Sequence, residues 1–152
     1  MSIRKIKLWP DPILRKISQP IQTIDKYIQK IGCDLVDSVI AHNAAGLAAP
    51  QIGINLRIFV INSCKDLDQY LNIKKPEIFI NPFFLPLGDK FKWEEGCLSI
   101  PQKFGQVSRF KKINIKYQAI DGTSKSLIVS DFLSGCFQHE LDHLDGILWI
   151  DA

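Results

Sequence analysis

The residues with the clearest chemical meaning lie near the end of the chain, where His139, Glu140 and His143 form the pattern H-E-x-x-H. On a helix, residues four apart project from the same face with their Cβ atoms about 5–6 Å apart, so two imidazoles can bind one divalent ion. Glu140 then lies beside the ion without being a ligand, where it can take and return a proton of the attacking water. This pattern indicates a metal-dependent hydrolase.

The alternative interpretation is that the five-residue pattern arises by chance on a polar helix. The segment around it is mostly apolar, and two of the chain's 3 histidines stand in it. Both facts favour a metal site over a chance match.

The third ligand of such a site must come from elsewhere in the chain, because a catalytic zinc-like site uses three protein ligands and leaves one position open. The metzincin pattern would put a histidine at position 149, where this chain has Trp149. Asp145 and Asp151 are too close in sequence to fold back onto the ion. We therefore expect the third ligand upstream, which argues against an ordinary zinc protease.

Cys97 is the best upstream candidate for this ligand. It lies in the segment Glu-Glu-Gly-Cys-Leu-Ser-Ile-Pro, where Gly96 permits close approach of the backbone. A thiolate with two imidazoles suits Fe, Zn, Ni or Co, and binding would deprotonate the thiol. An arbitrary cysteine is more often a buried apolar residue. Cys136 shares a helix face with the histidines and is the rival ligand, but we interpret it as a pocket wall.

The elements that position these residues can be predicted from the spacing of apolar side chains. Helical spacing from Ile24 to Ile40 predicts a first helix, with Thr23 as its cap. A turn at Asp121-Gly122 predicts a hairpin. Strands are predicted at 57–62, 77–81, 113–120 and 126–129, and a surface loop is predicted at 63–75.

A last helix is predicted to begin after a cap at Ser130 or Asp131 and to end near Gly146. Its faces are apolar on several sides, so we expect it to be central and buried. Antiparallel strands packed around this helix define an α+β fold. The length of 152 residues predicts one domain over residues 1–152.

Composition restricts the classes of function. The formal net charge of +3 is too mild to indicate a nucleic-acid-binding protein. The chain shows neither a signal peptide nor a run of about 18 apolar residues, so we expect a cytoplasmic protein without membrane association. Disulfides are not expected in that compartment among the cysteines, which are Cys33, Cys64, Cys97 and Cys136.

Three segments resemble, in order, the motifs of the peptide deformylase family. They are Gly-Leu-Ala-Ala-Pro-Gln at 46–51, Glu-Gly-Cys-Leu-Ser at 95–99 and Gln-His-Glu-Leu-Asp-His at 138–143. Residues 9–15 resemble the family's N-terminal segment, and the likeness runs from about Ile6 to Asp151. Members of this family hydrolyse the N-formyl group of N-formylmethionyl nascent polypeptides and release formate.

The resemblance implies a role for each motif residue. Glu140 would be the general base and then the general acid. The side-chain amide of Gln51 and the backbone N–H of Leu98 would stabilise the developing oxyanion, as preorganised donors do. One divalent ion, natively Fe(II) and with Zn, Ni or Co as substitutes, would be held by Cys97, His139 and His143.

The resemblance also implies where the substrate lies. Gly46 would let the peptide pair as an added strand, and the methionine side chain would enter an apolar pocket. The substrate-binding residues assigned in this way are Ala45, Gly46, Gly96, Phe104, Phe132, Gly135 and Cys136.

The sequence departs from the family pattern at three places. The first motif normally opens Gly-x-Gly, but here it opens Ala44-Ala45-Gly46. Phe104 stands where many members have Arg or Tyr. Most bacterial members continue into a C-terminal helix, whereas this sequence stops at Ala152, so the resemblance is to a compact member that lacks this helix.

Two alternatives to an active deformylase remain open. One is a metallopeptidase, or an amidase acting on other N-acyl groups, which shares the H-E-x-x-H chemistry. The other is a non-catalytic or altered-specificity deformylase-like metal-binding protein. The expected partners are N-formylmethionyl peptides, with the ribosome as a further candidate partner and no specific nucleic acid.

Overall fold

The computed structural model describes residues 2–62 and 75–151. The loop predicted at 63–75 lies outside the described residues except for Lys75. The α-helices of the described part are α1 (Lys26–Ala41) and α2 (Asp131–Leu144). The strands there are β1 (Gly46–Ala48), β2 (Ile58–Ile61), β3 (Glu77–Pro86), β4 (Lys90–Cys97), β5 (Ile100–Phe110), β6 (Lys112–Gln118) and β7 (Ser124–Ser130). Short 3-10 helices occur at Pro12–Arg15, Ala49–Ile52 and Trp149–Asp151.

The strands form two sheets, and every strand pair in them is antiparallel. A 5-stranded sheet has the order β1-β2-β3-β6-β7, and a 2-stranded sheet pairs β4 with β5. Alternate residues of β2 point to opposite faces of the larger sheet. Ile58 and Val60 pack with α1, whereas Phe59 and Ile61 pack with α2, so each face is covered by a helix there. The predicted α+β fold, with antiparallel strands around the helix that carries the histidines, is confirmed.

The first helix begins at Lys26, two residues later than its apolar pattern indicated. Thr23 is not its cap; Asp25 is, because its carboxylate accepts a hydrogen bond from the Ile28 N–H at 3.0 Å. An N-cap side chain accepts a hydrogen bond from the N–H of the second or third helical residue. Because the helix starts at Lys26, the N-cap residue is Asp25. The apolar face of α1 packs with β2 and the 3-10 helix at Ala49–Ile52 in one core cluster.

The predicted burial of the last helix is also confirmed, since residues 133–141 of α2 are all buried. Phe137 anchors its apolar side in an aromatic cluster, with its ring centroid 4.8 Å from Phe79 and 5.9 Å from Phe59. Ser130 occupies the N-cap position, although its side chain makes no cap hydrogen bond. Gly146 follows the helix with a φ of 72°, a left-handed conformation that favours glycine.

The predicted strands are present with shifted ends, and three others were not predicted. The predicted strand at 77–81 continues to Pro86 across an irregularity between Ile80 and Phe83. Gly122 closes the predicted hairpin turn with a φ of 89°. The strands that sequence periodicity missed are β1, β4 and β5, and β4 ends at Cys97.

No helix in the described ranges combines the length and apolar character needed to cross a membrane.

Candidate metal centre

Cys97, at the end of β4, meets two histidines one helical turn apart on α2. Its Sγ atom lies 3.3 Å from His143 Nε2, which in turn lies 3.2 Å from His139 Nε2. One ligand atom from each of these three residues lies within 4.8 Å of the other two. The expected meeting of a cysteine sulfur from mid-chain with both imidazoles is therefore present.

The spacing and chemistry of these atoms fit one divalent ion. Bond lengths of about 2.0–2.1 Å to nitrogen and about 2.3 Å to sulfur give tetrahedral ligand separations of about 3.3 Å (N to N) and about 3.5 Å (N to S). The separations of 3.2 and 3.3 Å are close to these values. One thiolate and two imidazoles are also a donor set that first-row metals prefer.

The site is assembled where one face of β4 lies along one face of α2. Alternate residues of a strand advance by about 6.6 Å, and residues four apart on a helix advance by about 6 Å. This near-match lets successive inward residues of β4 contact successive turns of α2. The contacting pairs are Trp93 with Gly135, Glu95 with His139, and Cys97 with His143.

Glu95 orients His139, and sequence reasoning did not single it out. Its Oε1 atom hydrogen-bonds His139 Nδ1, so the other ring nitrogen faces Cys97 and His143. Carboxylates that hold a ligand histidine in this way fix its tautomer and raise its basicity. The same carboxylate accepts hydrogen bonds from Arg109 at 2.7 and 3.1 Å and from Trp93 Nε1 at 2.8 Å.

Burial and charge act in opposite directions on the pKa values of Glu95 and His139. Burial raises the pKa of Glu95, but hydrogen bonds and charges from His139 and Arg109 outweigh it and lower the pKa to about 2. Burial lowers the pKa of His139, yet its bonds to Cys97 and Glu95 leave that pKa well above its ordinary value. Burial and the neighbouring His139 lower the pKa of His143.

Glu140 faces the pocket beside the ligand atoms and is buried. Its Oε1 atom has no hydrogen-bond partner among the described residues. Burial raises the pKa of Glu140 to about 7, an effect that the charge of His139 partly offsets. A carboxyl group with a pKa near neutrality can both accept and return a proton.

Gly46 leaves the space that Glu140 occupies. A Cβ atom at position 46 would lie 2.8 Å from Glu140 Oε2, which is too close for a real contact. The glycine of the first motif is therefore required by the position of the carboxylate.

Gln51 is held with its amide group directed toward the metal centre. Its Oε1 accepts the Ala48 N–H at 3.0 Å, which leaves Nε2 facing Cys97 Sγ at 3.5 Å and Ser99 Oγ at 3.2 Å. Leu98 lines the same pocket. Their roles as oxyanion donors stay predictions.

An open pocket of about 510 Å³ adjoins the centre. Phe104 is 69% exposed at its rim, and its ring lies where a side chain at Gly96 would otherwise stand. Gly135 is not among the lining residues, because the Trp93 ring covers it. The predicted substrate-binding residues that do line the pocket are Ala45, Gly46, Gly96, Phe104, Phe132 and Cys136.

Trp93 is a lining residue that sequence reasoning missed. The signal for it was present, because Phe91, Trp93, Glu95 and Cys97 alternate with Lys90, Lys92, Glu94 and Gly96 at the period of a strand.

Comparison with known proteins agrees with this geometry. Residues 3–152 match the sequence profile of the family described as Polypeptide deformylase. The peptide deformylase of Bartonella tribocorum is 41% identical over 152 residues, which cover 99% of this chain and 84% of that protein.

Solved structures show the same fold at full length. The peptide deformylase of Legionella pneumophila superposes with a TM-score of 0.90 at 36% identity, covering 99% of this chain and 85% of that one. The enzyme of Thermotoga maritima gives a TM-score of 0.89 at 34% identity, with coverages of 99% and 97%. The profile match, the curated relative and the two structures together show that this chain belongs to the peptide deformylase family.

Proposed function

We propose that this peptide deformylase, a hydrolase of linear amides, acts on N-formylmethionyl nascent polypeptides with Glu140 as its proton-transfer group. The observation that carries this proposal is the buried Glu140 carboxylate, which faces the pocket with a pKa of about 7 and with one oxygen that has no hydrogen-bond partner within residues 2–62 and 75–151. It lies one residue from His139, in a cluster of three potential metal ligands.

In this mechanism Glu140 takes a proton from the attacking water as the water oxygen bonds to the formyl carbon. Gln51 Nε2 and the Leu98 N–H donate to the formyl oxygen as negative charge develops there. Glu140 then returns the proton to the departing amine nitrogen as the C–N bond breaks, which yields formate and a free α-amino group. When bound, a divalent ion supplies Lewis-acid polarisation and lowers the pKa of water toward neutrality.

The substrate is proposed to lie along β1. Within the described part of the chain, β1 is an edge strand of the larger sheet, so its outer backbone groups can pair with an extended peptide. Gly46 lies in this strand and contacts Glu140, which would bring the paired peptide next to the proton-transfer group. The methionine side chain would then enter the pocket lined by Ala45, Phe132 and Cys136.

Formate release from a formyl-methionyl tripeptide, measured under anaerobic conditions, tests the role of Glu140. Glu140→Gln keeps the size of the side chain but cannot accept the proton, so we expect kcat to fall by about 10²–10⁴-fold. Metal content should not change, because Glu140 is not a ligand. Asp89→Asn, in the turn between β3 and β4, serves as the control and should retain wild-type turnover.

Full activity of Glu140→Gln would reject the proposed role of this residue. Formate release by neither protein in a metal-loaded state would instead favour a non-catalytic metal-binding protein. Turnover of unformylated peptides would favour a metallopeptidase.

We propose Fe(II) as the native ion at Cys97, His139 and His143, with Zn, Ni or Co as substitutes. A thiolate and two imidazoles support binding of all four metals, and the choice of iron follows the family resemblance. Metal analysis of anaerobically purified protein should find about one iron per chain. Cys97→Ser should lose most of it, whereas retained metal with unchanged affinity would remove Cys97 from the site.

We further propose that the enzyme works in the cytoplasm on chains emerging from the ribosome. Support comes from the proposed substrate, which is made there. Co-sedimentation with ribosomes at two salt concentrations would test direct association, since contacts based on a net charge of +3 should weaken as salt rises.

A further inference from the structure

Trp93 forms an aromatic wall of the pocket beside the metal centre. It lies two residues before Glu95 on β4, and alternate residues of a strand share a face. This placement directs the indole toward α2, one turn before His139, while Lys92 and Glu94 are exposed on the opposite face.

Gly135 makes room for this ring. A Cβ atom added at position 135 would collide with atoms of the six-membered ring of Trp93. Because the indole is rigid, the ring as a whole would have to move. The indole therefore occupies the space into which a side chain at 135 would project. The shape of this part of the pocket depends on the two residues as a pair.

The ring is held on more than one side. Its Nε1–H donates to Glu95 Oε2 at 2.8 Å, and its centroid lies 5.1 Å from the Phe132 ring in an edge-to-face arrangement. Phe91 contacts it from the other direction, with 5.8 Å between ring centroids. A ring fixed by a hydrogen bond and by two aromatic neighbours is a defined wall rather than an adaptable one.

We propose that Trp93 is the specificity-determining residue of the side-chain pocket, where its indole, seated on Gly135 and tied to Glu95, limits the width of the first side chain of the substrate. The inference rests on the proposed function, because it assigns this pocket to the formyl-bearing residue. An unbranched thioether chain fits beside such a fixed wall, whereas a wide aromatic chain would have to displace it. Displacement would break the hydrogen bond to the carboxylate that orients His139.

The first test compares kcat/KM for two formyl tripeptides that differ only in their first residue, methionine or phenylalanine. Trp93→Leu removes the wall, so the preference for methionine should fall by about tenfold or more, in the range that pocket shape controls in other enzymes. Trp93→Phe keeps a ring but loses the N–H donor, and its preference should lie between those of the wild type and Trp93→Leu.

A double-mutant cycle tests the pairing with Gly135. Gly135→Ala in the wild-type background pushes the indole into the pocket and should lower kcat/KM for the methionyl substrate by about tenfold. In the Trp93→Leu background the added methyl group has space, so the same substitution should have little effect. Additive effects of the two substitutions would contradict the pairing, since coupling between contacting residues is what the cycle measures.

A binding measurement keeps the proposal testable without turnover. Titration of zinc-loaded protein with the unformylated product tripeptide should change the tryptophan fluorescence of the wild type. The change should persist in Trp149→Phe, whose ring lies over Gly105 and outside the pocket lining. It should disappear in Trp93→Phe, and a full response there would overturn the proposal.

The outcomes separate this proposal from the proposed function. Suppose that the wild type releases formate and prefers the methionyl peptide, and that Trp93→Leu and Gly135→Ala each change this preference by less than about twofold. That result would reject only the role of Trp93. A wild-type protein that releases no formate from either peptide would reject the proposed function, and the fluorescence titration would still decide whether Trp93 lines a peptide-binding pocket.

Discussion

Glu95 and His139 share a hydrogen bond between Oε1 and Nδ1, and this contact determines which nitrogen of His139 faces the metal centre. The carboxylate is itself fixed by Arg109, whose guanidinium also pairs with Asp142 on α2. The orientation of one metal ligand thus depends on a buried carboxylate that is not a ligand. This relationship leads to the first prediction.

Glu95→Gln should lower the affinity for zinc by about 10–100-fold, the usual effect of removing a group that orients a ligand. The amide is nearly the same size but carries no charge to polarise the imidazole. Competition with a chelator of known affinity gives the measurement. Glu94→Gln, on the exposed face of the same strand, is the matched control and should bind zinc as tightly as the wild type. Equal affinities for the two variants would contradict the role of Glu95.

Gly46→Ala should lower kcat by about 10²-fold without loss of metal, because the added methyl group displaces the Glu140 carboxylate and misplacement of about 1 Å has effects of this size. A Cβ atom there would lie 2.8 Å from Glu140 Oε2. Steady-state formate release and metal content, measured on the same preparation, distinguish displacement of Glu140 from damage to the ligands. Unchanged kcat would show that Glu140 can move without consequence.

Phe137→Ala should reduce the free energy of unfolding by about 3–5 kcal/mol, the usual result of truncating a fully buried phenylalanine. Its ring packs edge-on against those of Phe59 and Phe79. Urea denaturation of the metal-loaded protein gives the measurement. Phe83→Ala, where the ring is 55% exposed on β3, should change stability by no more than about 0.5 kcal/mol. Similar losses in both variants would argue against the aromatic cluster as the anchor of α2.

Asp34 should make stability depend on pH in the acid range. Burial raises the pKa of this α1 carboxylate, but hydrogen bonds from the Ser2 N–H and Arg4, with the nearby charge of Lys30, leave the pKa below its ordinary value. A pKa that is lower in the folded than in the unfolded chain stabilises the fold above the unfolded value, and this contribution is lost as pH falls through the folded one.

Asp34→Asn should therefore cost roughly 1–3 kcal/mol at pH 7, and the difference from wild type should shrink as pH falls below about 4. Chemical denaturation at a series of pH values measures it. Asp37→Asn is the control, because Asp37 lies on the same helix and makes no ion pair with residues 2–62 or 75–151. A constant difference across the whole pH range would contradict the assignment.

The parts of the site that could be predicted from sequence are those fixed by local geometry. His139 and His143 share a helix face because of their spacing, and that face could be identified without any tertiary information. Cys97 could not be identified from local spacing, because its contact with α2 depends on the topology of the chain. Its prediction as the third ligand rested on the exclusion of downstream ligands and on resemblance to a family.

The strand β4 was missed for a physical reason. Phe91 and Trp93 alternate with polar residues, but the same inward face continues with Glu95 and Cys97, so the apolar–polar alternation breaks off after Trp93. A buried carboxylate is normally excluded by its desolvation cost. Only the folded structure supplies Arg109 and His139 as its partners. The contact between Trp93 and Gly135 was likewise hidden, because a glycine on a helix gives no sign of what lies against it.

The alignment of β4 with α2 restricts how the segment can vary. Inserting or deleting one residue between Trp93 and Cys97 would turn the groups beyond it to the opposite side of the strand. Substrate selection, ligand orientation and metal binding would then fail together, although no functional residue had been replaced. Each of the three positions can be altered by substitution, but the number of residues between them is fixed by the pitch of the adjacent helix.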